Sequence, residues 1–173
     1  MLPSPLHPAI VHFPIVFTIL LPFVATGALW AIRRGARPAR AWAIPLLAAA
    51  AVSLSAWLAV QTGEAEEERA EDIAGEQVLH DHEEAAERFL LLSGGVVVLM
   101  AVGFLRGFPG KAGRMVASAA ALGLVVAGYQ VGHSGGRVVF GDVTNPGISA
   151  LGAAQGGAGQ EGRTADNRHE DDD

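Results

Sequence analysis

Four apolar runs, Ala9 to Ile32, Ala41 to Val60, Phe89 to Leu105 and Met115 to Val131, contain no Lys, Arg, Asp or Glu. About 20 apolar residues cross a hydrocarbon core roughly 30 Å thick, and about 17 is the lower limit. The last two runs are short and borrow length from Ala85, Ala86 and Gly132. The pattern predicts four membrane-spanning helices, at about 9–32, 41–60, 89–105 and 115–132. Buried helices of a water-soluble protein would carry a polar face, and four charge-free stretches leave almost none. Pro8 and Pro14 lack amide hydrogens but are tolerated in a first helical turn, so Leu6 to Pro14 reads as a helix entrance. His7 then lies near the cap and His12 just inside. Pro22 and Pro45 predict kinks, and Pro22 leaves the carbonyl of Thr18 without its helical donor.

Between the second and third runs, residues 61–88 are rich in Ala and Glu, which favour helix. This stretch is expected to form an external acidic helical loop, interrupted near Gly75 and running straight into the third span. Beyond Gly141 the chain is Gly, Ala, Gln and acids with little to bury, and a disordered tail is expected, at least from Gln155 onward. The predicted architecture is all-α: an integral membrane four-helix bundle over 1–147, with a disordered acidic tail over 148–173. Helices in lipid pack through small residues. Ala119, Gly123 and Ala127 on the fourth helix, and Ser93, Gly94, Gly95 and Gly103 on the third, are the expected close-approach points.

Charge adds orientation. The chain has 173 residues, half of them hydrophobic, and a formal net charge of -6. Its basic residues concentrate in two short loops, Arg33, Arg34, Arg37 and Arg40 in one and Arg106, Lys111 and Arg114 in the other. The positive-inside rule places both loops in the cytoplasm and both termini outside, as in a multi-pass protein of the bacterial inner (cytoplasmic) membrane. Every Asp and Glu then falls on the outer side. Trp30 and Trp42 are expected at the inner interface, Trp57 and Tyr129 near the outer one. Met1 to Leu6 holds no basic residue, so the first helix is expected to be retained rather than cleaved as a signal peptide. With no Cys, thiolate metal sites, disulfides and cysteine nucleophiles are excluded.

The candidate chemistry lies in the histidines. Measured from the inner helix ends at 1.5 Å per residue, His12 lies about 30 Å up, His82 about 34 Å, His133 about 27 Å and Glu64 about 34 Å. One candidate ligand per helix in a single outer layer is how bundle metal sites are built. Within His80-Asp81-His82, residues two apart point roughly 200° apart. His82 shares a face with Ala86, Phe89 and Ser93, and His80 one with Glu84 and Glu87, so His82 is expected to face inward. The candidate cofactor site is His12, His82 and His133, with Glu64 and His7 as further metal ligands or supports. Imidazoles and a carboxylate suit iron, copper or zinc; two imidazoles on facing helices suit haem b. The same histidines equally suit plain hydrogen bonding between helix ends.

Three stretches resemble a family: His7-Pro8-Ala9-Ile10-Val11-His12-Phe13-Pro14, Thr62-Gly63, and Gly132-His133-Ser134-Gly135-Gly136-Arg137-Val138-Val139-Phe140-Gly141. They are similar to bacterial four-helix membrane proteins grouped as domain of unknown function 2231, over roughly Leu6 to Gly147. The resemblance implies a small integral membrane protein, sometimes associated with cytochrome-like or other redox modules, for which a haem or metal role is reasonable. His7, His12 and His133 fall on the patterned positions, and His82 on the histidine that opens the third helix. Phe140 stands where the family more often has Tyr, which removes a phenolic hydroxyl from any site there.

No Gly-rich phosphate loop with Lys, no Ser nucleophile elbow and no HExxH pair is present, so the usual enzyme classes find no support and the chain is not expected to be an enzyme by itself. Acidic outer regions would repel nucleic acid. Charge-free spans give no obvious ion path for a transporter. Two readings stand: a haem- or transition-metal-binding redox component with its site at the outer face, partnered by the bilayer and a cytochrome-like protein or larger membrane complex, or a non-catalytic structural or accessory subunit whose histidines only hydrogen-bond helix ends.

Overall fold

The computed structural model describes residues 7–65 and 76–140. They form five helices in sequence: α1 (His7–Ile10), α2 (His12–Arg33), α3 (Pro38–Glu64), α4 (Glu76–Val102) and α5 (Gly107–Phe140). No strand occurs among the described residues. The chain divides into two units, Met1–Val138 and Val139–Asp173. The second lies almost wholly outside the described residues, as do the expected interruption near Gly75 and the expected disordered tail.

The helices α2, α3, α4 and α5 are each long and apolar enough to cross a membrane. At 22 residues the shortest, α2, spans about 33 Å. At most 33% of the most apolar stretch of any of them is buried inside the bundle. Phe23, Leu47, Leu91 and Leu122 all point outward. Such a girdle of large apolar side chains is untenable in water and is what hydrocarbon requires.

Helix boundaries depart from the hydropathy limits for local reasons. The first segment is not continuous, because Pro14 has no N–H to give the carbonyl of Ile10, and the helix breaks at Val11 into α1 and α2. At the other end of α2, Gly35 takes a φ of 99°. Its N–H donates to the Ile32 carbonyl and the Ala36 N–H to the Ala31 carbonyl, a Schellman closure that ends the helix. Pro38 then starts α3 at a position where a missing N–H is harmless. The third span stops at Val102 rather than Leu105, since Gly103, Phe104 and Leu105 turn back through bonds to the carbonyls three residues earlier. α5 begins at Gly107, where a φ of 73° allows the chain to reverse, eight residues before the apolar run. The expected straight extension into the third span is observed, with α4 continuous from Glu76.

The core is built from Leu21 and Ala25 of α2, Trp42, Ala49 and Val52 of α3, Phe89, Val96 and Met100 of α4, and Ala117, Ala121 and Leu124 of α5. Packing on α5 therefore uses the Ala117 face. Ala119 and Gly123, expected at the interface, are exposed, because they sit on the opposite side of the 100° wheel. Gly94 and Gly95 likewise face open space, whereas Gly103 is a true close-approach point. A Cβ there would come within 2.1 Å of Trp42 Nε1. That approach lets the buried Trp42 indole donate to the Met100 carbonyl at 2.8 Å. The buried Arg114 guanidinium donates to the Gly103 carbonyl, so both large side chains at this end serve the turn after α4.

Candidate functional site

The starts of α1 and α4 meet the last turns of α3 and α5, and each meeting is made by a histidine. Half-buried His7 places Nδ1 2.9 Å from the Ala59 carbonyl and 3.3 Å from Thr62 Oγ1. A carbonyl only accepts, so Nδ1 carries the proton. Thr62 donates its own hydroxyl hydrogen back to the Leu58 or Ala59 carbonyl, each at 3.0 Å, and its oxygen is free to accept. The ring edge rests on Gly63, where a Cβ would sit 3.3 Å from His7 Cε1. Any larger residue would have to displace the imidazole.

His82 repeats the arrangement on α5. Its Nδ1 lies 3.0 Å from Ser134 Oγ. Ser134 donates to the Val131 carbonyl at 3.0 Å, so it accepts from His82, whose proton is again on Nδ1. A Cβ on Gly135 would be 3.1 Å from His82 Cε1. His82 sits two turns before Phe89, where the apolar run begins. Burial lowers its pKa below the ordinary 6.5, and a positive charge on nearby His7 lowers it further. A hydrogen bond to the Val131 backbone opposes the shift. The neutral imidazole is thus the form the fold favours.

The facing argument for the triplet holds, since His82 is half-buried and His80 exposed. His12 and His133 are both exposed. His133 stacks on Tyr129 with ring centroids 6.0 Å apart and planes 14° from parallel. Glu64 is exposed and accepts from Gln61 Nε2 at 3.0 Å. The structure thus joins His7 and His82 to hydroxyl–glycine pairs and sets His12, His133 and Glu64 outward. Among the described residues no three His, Asp or Glu side chains gather into a metal-holding group. The side chain of Phe140 lies outside the description. Thr62 and Ser134 had no assigned role in the sequence reading; the signal that marks them is the same hydroxyl–glycine dipeptide closing the second and fourth helices.

Nothing matches among curated proteins or among solved structures. A family model described as "Predicted membrane protein (DUF2231)" matches residues 3–145, which hold both histidines and both hydroxyl–glycine pairs, and the chain belongs to that family.

Proposed function

We propose that this is a non-catalytic structural or accessory protein of the bacterial cytoplasmic membrane, in which His7 and His82 tie helix ends together on the outer face. The observation that carries the reading is that each imidazole spends Nδ1–H on an oxygen in the last turns of a neighbouring helix. A ring donating one such hydrogen bond contributes about 0.5–1.5 kcal/mol to holding two helix ends together. The outward placement rests on the seven basic residues of the two short loops. Its partners are the bilayer and a larger membrane assembly that the lipid-facing helices would join.

One observation favours the second reading, a haem b or transition-metal electron-transfer component working with a cytochrome-like protein. Ligating histidines characteristically donate one ring N–H to an oxygen, which fixes the tautomer and leaves the other nitrogen's lone pair for the metal. His7 and His82 both have that tautomer. Absorption spectra and metal analysis of the protein purified from its native membrane decide between the readings. The structural reading expects a colourless, metal-free protein whose His7→Ala and His82→Ala variants melt at lower temperature. A Soret band, or stoichiometric metal lost in both variants, would replace it with the redox reading.

A further inference from the structure

The two clasps are alike in every feature that defines them. In each, Nδ1 meets a hydroxyl, at Thr62 or Ser134. In each, the hydroxyl donates to the carbonyl three residues earlier, Ala59 or Val131. In each, the ring's Cε1 lies closest to the next residue, Gly63 or Gly135. The histidine precedes its hydroxyl by 55 residues in one case and 52 in the other.

Setting His7 on His82 fixes how the first helix of each pair lies on the other, with no freedom left to slide them. The buried positions then coincide: Pro14 with Phe89, Thr18 with Ser93, Leu21 with Val96, Ala25 with Met100. A small hydroxyl residue occupies the same buried place in both. Setting Thr62-Gly63 on Ser134-Gly135 does the same for the inner part of the second helices, while nearer the clasp buried Ser55, Ala56 and Ala59 fall on half-buried Ala127, Gly128 and Val131. Trp42 falls on Arg114, Pro45 on Ala117, Ala49 on Ala121 and Val52 on Leu124, all buried. The hydrogen bonds of Trp42 and Arg114 are not counterparts: Trp42 donates to Met100 of the other hairpin, and Arg114 to Gly103 of its own. The difference in spacing lies in where the helices end on the inner side, since the two inner turns, 34–37 and 103–106, are equally long; a glycine at positive φ marks each reversal, Gly35 and Gly107.

We infer that the bundle is one helical hairpin used twice in tandem, 7–63 and 82–135, each copy latched at its outer end by the same histidine–hydroxyl–glycine clasp. Both copies run in the same direction, so they are related by an axis along the membrane normal, as in parallel-repeat membrane folds. The acidic stretch between them is the connection. Thr62, Gly63, Ser134 and Gly135 are positioning residues, equivalent in pairs, that orient His7 and His82. The inference is independent of the choice between structural and redox readings, because a pair holding a metal would be just as equivalent.

The test is nitrogen NMR of the full chain, labelled with 15N-histidine, in detergent micelles above about pH 7, where neutral rings dominate. His7→Gln and His82→Gln assign the two signals. Both rings are expected in the Nδ1–H tautomer. Thr62→Val should shift the ring-nitrogen signals of His7 alone, and Ser134→Ala those of His82 alone. The exchanged protein, Thr62→Ser with Ser134→Thr, should keep both signatures, and it still decides the matter if a single variant fails to fold. Rings in different tautomers, or an exchange that releases one ring only, would overturn the inference.

Discussion

His82 is a proton-sensitive member of the clasp. Its pKa is lowered by burial first and by the His7 charge second. The unfolded chain therefore takes up this proton first as pH falls. The stability contributed by neutral His82 is complete above about 6.5, the unfolded value, and is lost as pH falls through the lowered folded-state value. Thermal melts in detergent should move down as pH falls below about 6.5, and His82→Gln should remove that part of the slope. Two other residues make contrasting predictions. Gly103→Ala drives a methyl into Trp42, and overpacking of this kind costs about 1–3 kcal/mol. A lowered melting temperature with a red-shifted tryptophan emission is the expected result. Thr18 Oγ1, in contrast, is buried with no hydrogen-bond partner among the described residues. Replacing an unsatisfied hydroxyl by a methyl of similar shape is neutral or favourable, so Thr18→Val should melt at the same temperature or higher.

Among the helices, the break at Val11 sets the position of His7. α1 is separated from α2 at Val11, where Pro14 withholds a hydrogen from Ile10. Pro14→Ala restores that donor, favours one continuous helix and draws His7 off the Ala59 carbonyl. The expected loss of about 0.5–1.5 kcal/mol should show in unfolding titrations and be absent when the same change is made in a His7→Ala background. This break also marks where sequence reading stops. Four spans were legible because charge-free runs of membrane length have few alternatives, and His82 could be chosen over His80 because helical phase is fixed within a few residues. Helix ends at Gly103 and Gly107 were not, since they depend on backbone turns that hydropathy does not register. Counting residues along a helix speaks to depth, but depth is not direction. His133 lies beside Ser134, and it is Ser134 that reaches His82.

At the largest scale the described helices form a bundle completed by lipid, with the hydrogen-bonded histidines at one end and the arginine-rich turns at the other. Orientation can be read directly in a chain without cysteine. Ala36→Cys and Gln77→Cys both place a thiol at an exposed position. An impermeant maleimide on intact cells should label the second and spare the first; the reverse would invert the bundle. The central claim is that the histidines hold helices to one another. It is tested most directly by a double-mutant cycle of His82→Ala and Ser134→Ala, unfolded reversibly in mixed micelles with a metal chelator present. The clasp predicts that the two losses are not additive, with a coupling of about 0.5–1.5 kcal/mol that the chelator leaves unchanged. Additivity within about 0.3 kcal/mol, or a coupling that disappears with the chelator, would contradict it.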